Sequence, residues 1–318
     1  MPLATGEACR RRCAALCRQL RPVGAATEAA ARNQSPVTMT IPLQQEEGLG
    51  ACIRWGYLQI PDPSIMAASQ VPICVVHGSA PGRTALLMAG NHGNEYEGQV
   101  ALRQLAHSID PETVHGRLII VPTLSVEASA GFVREWPDGT NFNRVMPGAA
   151  RGSRAAQLAL FVSSVLMPAA DIVFDLHTGG HNMRIQPSTM LFALADNPRH
   201  EEEVAAHLAM LAPLMMLNRL PPMQPPGSGT VWYEAKLQGK LVIGTEWGGG
   251  GTCHPEDYAA LHRGLLNTLR HLSILGDGVA VIPSLTDVDG PGNGGGGTRI
   301  ILHRGSRALR RPCWPACA

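Results

Sequence analysis

Residues 90–98 of this 318-residue chain read GNHGNEYEG and follow directly on the apolar run Thr84 to Ala89. Glycine and asparagine tolerate backbone conformations that bulkier residues avoid, so the stretch reads as a sharp loop leaving a strand. His92 and Glu95, three residues apart on such a turn, can aim an imidazole and a carboxylate at one ion. The run ADIVFDL leads in the same way into His177, Thr178, Gly179 and Gly180, and KLVIGT leads into Glu246, Trp247 and four glycines. Two histidines and a glutamate, with a fourth position left to water, are the ligand set of a hydrolytic zinc centre, where the metal lowers the pKa of bound water toward ~7 and polarises a carbonyl. His92, Glu95 and His177 are therefore the candidate ligands, and Glu246 is the carboxylate left over to act as general base. An H-x-x-E pair by itself carries little weight, because surface turns and helix faces produce it by chance. The argument is the joint placement of the clusters at strand ends.

A further cluster, REWPDGTNFNRVMPG at 134–148, carries Arg134 and the pair Asn143 and Arg144 around a Pro-Asp-Gly turn. A guanidinium grips a carboxylate in a two-pronged fashion that lysine cannot copy, so Arg144 is a candidate anchor for an acidic group; the competing reading is a solvated loop charge. Asp138 is expected to stabilise its own turn. Trp247 either walls a pocket or packs beneath it, and His181 is a pocket or surface residue rather than a ligand. Met210, Met215 and Met216 read as gap-fillers on a helix.

These clusters need a scaffold, and short aliphatic runs alternating with longer helical patterns supply one. Strands are predicted at Cys52 to Gln59, Ile73 to His77, Thr84 to Ala89, Arg117 to Pro122, Asp171 to Leu176 and Lys240 to Thr245. Helices are predicted at Glu97 to Ser108, Ser153 to Leu166, His200 to Leu217 and Pro255 to Leu275, the last with Thr252 as a cap and acidic residues in its first turn. Such alternation argues for an α/β fold, a three-layer α/β/α sandwich with a mixed, largely parallel sheet, in which ligands gather beyond the carboxyl ends of the strands.

Four pieces together resemble the succinylglutamate desuccinylase and aspartoacylase family of the zinc carboxypeptidase superfamily: GNHGNEYEG, DGTNFNRVMPG, DLHTGG and TEWGGGGT, in that order across roughly Met39 to Leu275. The first motif and the glycine run most resemble the branch containing the N-acetyl-diaminobutyrate deacetylases of ectoine breakdown. The resemblance implies one zinc ion per chain on His92, Glu95 and His177, with Glu246 as base and then proton donor. It further implies Asn143 and Arg144 on the α-carboxylate of a small-molecule N-acyl amino acid, and Arg134 polarising the scissile carbonyl. Asp175, two residues before His177 and so on the same strand face, can orient that ligand. A diaminobutyrate side chain would want a carboxylate such as Glu97 nearby. Family members usually continue into a second, β-rich C-terminal domain, and this chain reads as truncated before it.

The totals agree with a small-molecule enzyme. Hydrophobic residues make up 45% and charged residues 16%, enough for a substantial core, and the net charge of +1 offers no global attraction to nucleic acid or anionic membrane. Five of the eight cysteines lie in the tails, so the body is not a disulfide scaffold, and a cytoplasmic location is expected. Residues 1–38 read as a disordered leader or a misassigned start, with an Arg-rich transit peptide as the rival. The catalytic domain is assigned to 39–282, and 283–318 to an irregular Gly/Arg-rich tail whose origin is a frame error or a real flexible end. The enzymatic rival is a zinc carboxypeptidase, and the non-enzymatic one a metal-binding pseudoenzyme.

Overall fold

The computed structural model describes residues 35–46, 48–61, 69–193, 197–219, 229–282, 285–287 and 299–303. These form one sheet of strands β1 (Thr38–Met39), β2 (Cys52–Ile60), β3 (Ser69–His77), β4 (Ala80–Ala89), β5 (His115–Val121), β6 (Ile172–His177), β7 (Arg184–Ala193), β8 (Leu214–Arg219), β9 (Leu241–Gly249), β10 (Leu285–Asp287) and β11 (Arg299–His303). Their spatial order is β1-β2-β3-β5-β4-β6-β9-β7-β8-β11-β10. The four central strands β5, β4, β6 and β9 run parallel, and antiparallel pairs flank them on both sides. Parallel strands deliver their carboxyl ends to one edge of the sheet, so the loops after β4, β6 and β9 share that edge.

Among the described residues, six α-helices cover the two faces: α1 (Tyr96–Ser108), α2 (Val126–Ala130), α3 (Arg154–Phe161), α4 (His200–Ala209), α5 (Val231–Leu237) and α6 (Pro255–His271). Strand side chains alternate between two cores, as the two-residue repeat requires. Leu86, Met88, Ile119, Val121, Val173 and Val242 pack toward α3 and α5. Their neighbours Leu87, Ala89, Leu118, Ile120, Phe174 and Ile243 pack toward α1 and α6, against Leu102, Leu105, Leu261 and Leu265. Burying one such aliphatic side chain contributes about 1.5–3 kcal/mol, which is why strands buried on both faces read as continuous apolar runs.

The helix expected over His200 to Leu217 is corrected: α4 stops at Ala209, Leu211 turns into the left-handed region (φ +58°), and β8 begins at Leu214. Pro213 disfavours helical backbone in the residue before it and cannot donate to the helix ladder. Met215 and Met216 consequently lie on a strand. The predicted Thr252 cap is also replaced, since α6 starts at Pro255 with His254 at its cap position and no side-chain cap, while Glu256 and Asp257 occupy the first turn as expected. Strand β7 lies outside the predicted strands; its Pro187 falls where the β7–β9 register shifts between Ile185 and Ser188. At the ends, Val37 is buried and Thr38 pairs with Gln59, while β10 and β11 lie inside the stretch read as irregular and extend the sheet from β8. The rest of the leader and of the tail lies outside the described residues.

Between α4, α5 and β9 sits an ion pair of Glu203 and Lys236, with side chains only 1% and 3% exposed. The Glu203 carboxylate also accepts from Val242 N–H at 3.2 Å and Asn197 Nδ2 at 2.7 Å. Burial pushes the Lys236 ammonium pKa down, and the adjacent carboxylate counters it. Removing one partner of such a pair strands a buried charge, so Lys236→Met is expected to lower the free energy of urea unfolding by about 3–5 kcal/mol. A loss below ~1 kcal/mol would show that the carboxylate is compensated without the lysine.

Candidate active site

The first motif is clamped before any ligand side chain is considered. Gly93 lies against α2 so closely that an added Cβ would fall 2.2 Å from the Ala128 carbonyl carbon. Gln99 of α1 donates through Nε2 to the carbonyls of Gly93 (3.1 Å) and Glu95 (2.8 Å), and its Oε1 accepts from the Thr123 and Ser129 hydroxyls, each at 3.0 Å. Ser125 donates to the Asn91 carbonyl at 2.7 Å and accepts from Trp136 Nε1 at 2.7 Å.

At the centre, the Glu95 carboxylate is nearly sealed from solvent. Its Oε1 meets His92 Nδ1 at 2.7 Å and Arg134 Nη1 at 2.9 Å, and its Oε2 meets His177 Nδ1 at 2.9 Å and the Thr178 N–H at 3.1 Å. One ligand atom each from His92, Glu95 and His177 lies within 4.8 Å of the others, and all three residues are buried. Both imidazoles turn Nδ1 inward. Their outer nitrogens face acceptors, His92 Nε2 to Asn141 Oδ1 at 3.2 Å and His177 Nε2 to Asp175 Oδ1 at 3.2 Å. With Nδ1 on a metal ion, those acceptors would take the Nε2 proton, the arrangement that orients metal-binding histidines. Two imidazole nitrogens and a carboxylate oxygen so held suit a divalent metal ion with a position to spare.

Electrostatics agree with this donor set. Burial alone would raise the Glu95 pKa, but His177 and His92 together hold it well below the carboxylate range. Burial works against a charged His177 as well, yet Asp175 and Glu95 on either side raise its pKa well above the ordinary value. Two carboxylates thus flank His177, and a metal ion held by its Nδ1 would take the place of a proton there. His92 is shifted down, chiefly by burial.

Glu246 stands on β9 directly beside His177 in the parallel register, with Ser188 of β7 on its other side. Burial pushes its carboxyl pKa up to about 7; His177 and Arg134 pull it down, and Glu95 and Asp175 push it up. A group poised near neutrality is suited to taking and returning a proton. Asn143 is buried: its Oδ1 accepts from Val231 N–H at 2.9 Å at the start of α5, and its Nδ2 end lies 3.5 Å from His177 Nε2. Arg144 is exposed, with Nη1 on the Asn143 carbonyl at 2.6 Å.

The other singled-out residues fall outside this group. Trp247 is buried in the core beneath α6, so it packs under the sheet rather than walling the site. His181 is exposed and meets Tyr96 Oη through Nε2 at 2.9 Å. Asp138 accepts from Thr140 N–H at 2.9 Å, stabilising its own turn. Sequence reasoning missed Asn141 and Ser188. Asn141 had a local signal, since its Oδ1 caps the turn at Phe142–Arg144 by accepting from Asn143 N–H; Ser188 had none.

Fold and site together place the chain in a known class. Residues 81–272 match the succinylglutamate desuccinylase/aspartoacylase catalytic domain, and the chain belongs to that family, one of metal-dependent deacylases acting on amide bonds. Among individual proteins, it is 34% identical over 245 residues to an N-alpha-acetyl-L-2,4-diaminobutyric acid deacetylase from Halomonas elongata, covering 76% of this chain and 69% of that one. A crystal structure of a succinylglutamate desuccinylase from Silicibacter sp. TM1040 superposes with a TM-score of 0.72 at 34% identity, over 81% of this chain and 76% of that chain. The product-bound ectoine utilization protein EutE (DoeB) from Ruegeria pomeroyi gives a TM-score of 0.70 at 32% identity, over 80% and 76%. No helix among the described residues is long and apolar enough to cross a membrane.

Removing an acceptor that orients a ligating histidine typically costs ~10–100-fold in metal affinity. Competition with a chelating dye is therefore expected to show weaker zinc binding by that factor in Asp175→Ala, and no stoichiometric binding in Glu95→Ala. Unchanged affinity in Asp175→Ala would remove Asp175 from its orienting role.

Proposed function

We propose that this protein is a zinc-dependent deacylase that removes a short acyl group, acetyl first among them, from an N-acyl amino acid, with N-acetyl-2,4-diaminobutyrate as the leading candidate. The observation that carries this reading is the convergence of buried His92, Glu95 and His177 beside Glu246. The names of the Halomonas elongata and Ruegeria pomeroyi proteins support the choice of substrate.

His92, Glu95 and His177 would hold the metal, which supplies a water nucleophile of lowered pKa and draws electron density from the amide carbonyl. Glu246 takes the proton from the attacking water and returns it to the leaving amine. Arg134, already drawn to the site by Glu95, stabilises negative charge developing on the amide oxygen. Asn143 has its side-chain Oδ1 occupied by Val231 N–H, so its NH2 end is the half available to a substrate carboxylate. Arg144 donates through Nη1 to the Asn143 backbone carbonyl, and its other N–H groups can join Asn143 on the α-carboxylate. Water contributes OH to the acyl carbon and H to the nitrogen, so the products are a free amino acid and a short carboxylic acid.

Release of free amine from N-acetyl-diaminobutyrate, N-acetylaspartate, N-succinylglutamate and C-terminal dipeptides tests the reading. Chelator-sensitive turnover of one acyl amino acid is expected, and cleavage of the dipeptides alone would make the protein a carboxypeptidase. Glu246→Gln is expected to keep its metal while kcat falls by about 10²–10⁴-fold. A near wild-type rate would remove Glu246 from the role of base.

A further inference from the structure

The loops that carry the candidate residues are joined to one another behind the site, and Glu97 lies where they meet. It is on the first turn of α1, two residues past Glu95, and has no solvent exposure. Its Oε1 accepts from the Gly249 N–H at 2.7 Å, a bond spanning 152 residues. One acidic side chain thus ties the last residue of β9 to the motif after β4.

The run that follows Glu246 and Trp247 needs such a pin. Gly248, Gly249, Gly250 and Gly251 all have positive φ, between +76° and +103°, which only glycine adopts without strain. Four consecutive glycines lose more conformational entropy on ordering than any other residues would, so bonds from elsewhere must hold them. The loop after β6 supplies several: Gly179 N–H to the Gly248 carbonyl at 3.3 Å, Gly250 N–H to Met183 at 2.9 Å and Gly251 N–H to Gly180 at 2.9 Å. Glu97 supplies the only side-chain acceptor given to this run among the described residues. It also fills the space a Gly248 side chain would need, with Oε1 2.4 Å from an ideal Cβ. At that position a side chain is excluded by both the backbone conformation and the carboxylate.

The geometry points to Glu97 as a positioning residue that fixes Glu246 relative to His92, Glu95 and His177 by anchoring the glycine run to the first turn of α1. Its Oε1 is taken by the Gly249 N–H, while its buried Oε2 meets no hydrogen-bond donor among the described residues, so positioning and contact with a cationic substrate side chain are separated by kinetics. This inference rests on the reading of Glu246 as base.

The test compares wild type, Glu97→Gln and Glu97→Ala, all zinc-loaded, by zinc stoichiometry, by steady-state kinetics on N-acetyl-diaminobutyrate and N-acetylalanine, and by amide hydrogen exchange across 248–251. A displacement of about 1 Å at a reacting group costs on the order of 10²-fold in rate. Glu97→Ala is expected to keep one zinc and a KM within ~3-fold of wild type, to lose kcat by on the order of 10²-fold on both substrates, and to exchange the Gly249 amide faster. Glu97→Gln retains an oxygen acceptor and is expected to rescue most of kcat and the exchange protection, which also keeps the test decisive if the alanine variant does not fold. A KM increase confined to the cationic substrate would overturn the inference in favour of substrate recognition, as would unchanged kcat and exchange in Glu97→Ala. If Glu246→Gln proves fully active, the reading of the base fails by that result alone. If wild type turns over neither substrate, protection at Gly249 still decides whether Glu97 is the pin.

Discussion

The site depends on burying one carboxylate. Glu95 sits almost out of solvent, where an unpaired negative charge is costly, and every lone-pair direction of consequence is met by a donor: two imidazoles, a guanidinium and a backbone N–H. Because those donors come from positions 92, 134, 177 and 178, satisfying Glu95 brings three separate segments to one point. The same constraint that keeps the fold from stranding a charge therefore assembles the candidate metal site.

The sheet makes that convergence inexpensive in backbone terms. β4, β6 and β9 are parallel neighbours, so the loops at their carboxyl ends already lie side by side before any polar bond forms. His177 and Glu246 are adjacent by strand register, a relation fixed by hydrophobic burial on both faces. Glu95 then joins the third segment from the N-cap position of α1, where a carboxylate also suits the positive end of the helix dipole. Around this centre, acceptors such as Asp175 and Asn141 face the outer imidazole nitrogens, and Gln99 holds the loop backbone.

The division of labour between the two sheet faces follows from two-residue periodicity. Trp247 falls into the leucine-rich core under α6, while its neighbour Glu246 turns to the other side, toward His177. An alternating strand can thus present a catalytic carboxylate at one position and pack an indole at the next. The glycine run beyond them lets the chain pass close to the loop after β6, where side chains would collide.

Much of this was legible in the order of residues. The central strands, α1, α6 and the candidate ligands followed from apolar runs that end in Gly, Asn, His and Glu, because strand and turn preferences are local properties of a few consecutive residues. The placement of Asp175 on the face of His177 followed from strand periodicity in the same way, and the structure sets them 3.2 Å apart. The family was legible because its four motifs are local too, and residues 81–272 match it. Tertiary structure decided the rest. It turned Leu214–Arg219 into a strand after Pro213, admitted β7 despite Pro187, and aimed Trp247 inward. It also bonded Glu97 to Gly249 across 152 residues and Glu95 to His177 across 82. Local preference says which residues can turn or extend, but which side chains meet is set by sheet order and burial, and those exist only once distant segments have packed.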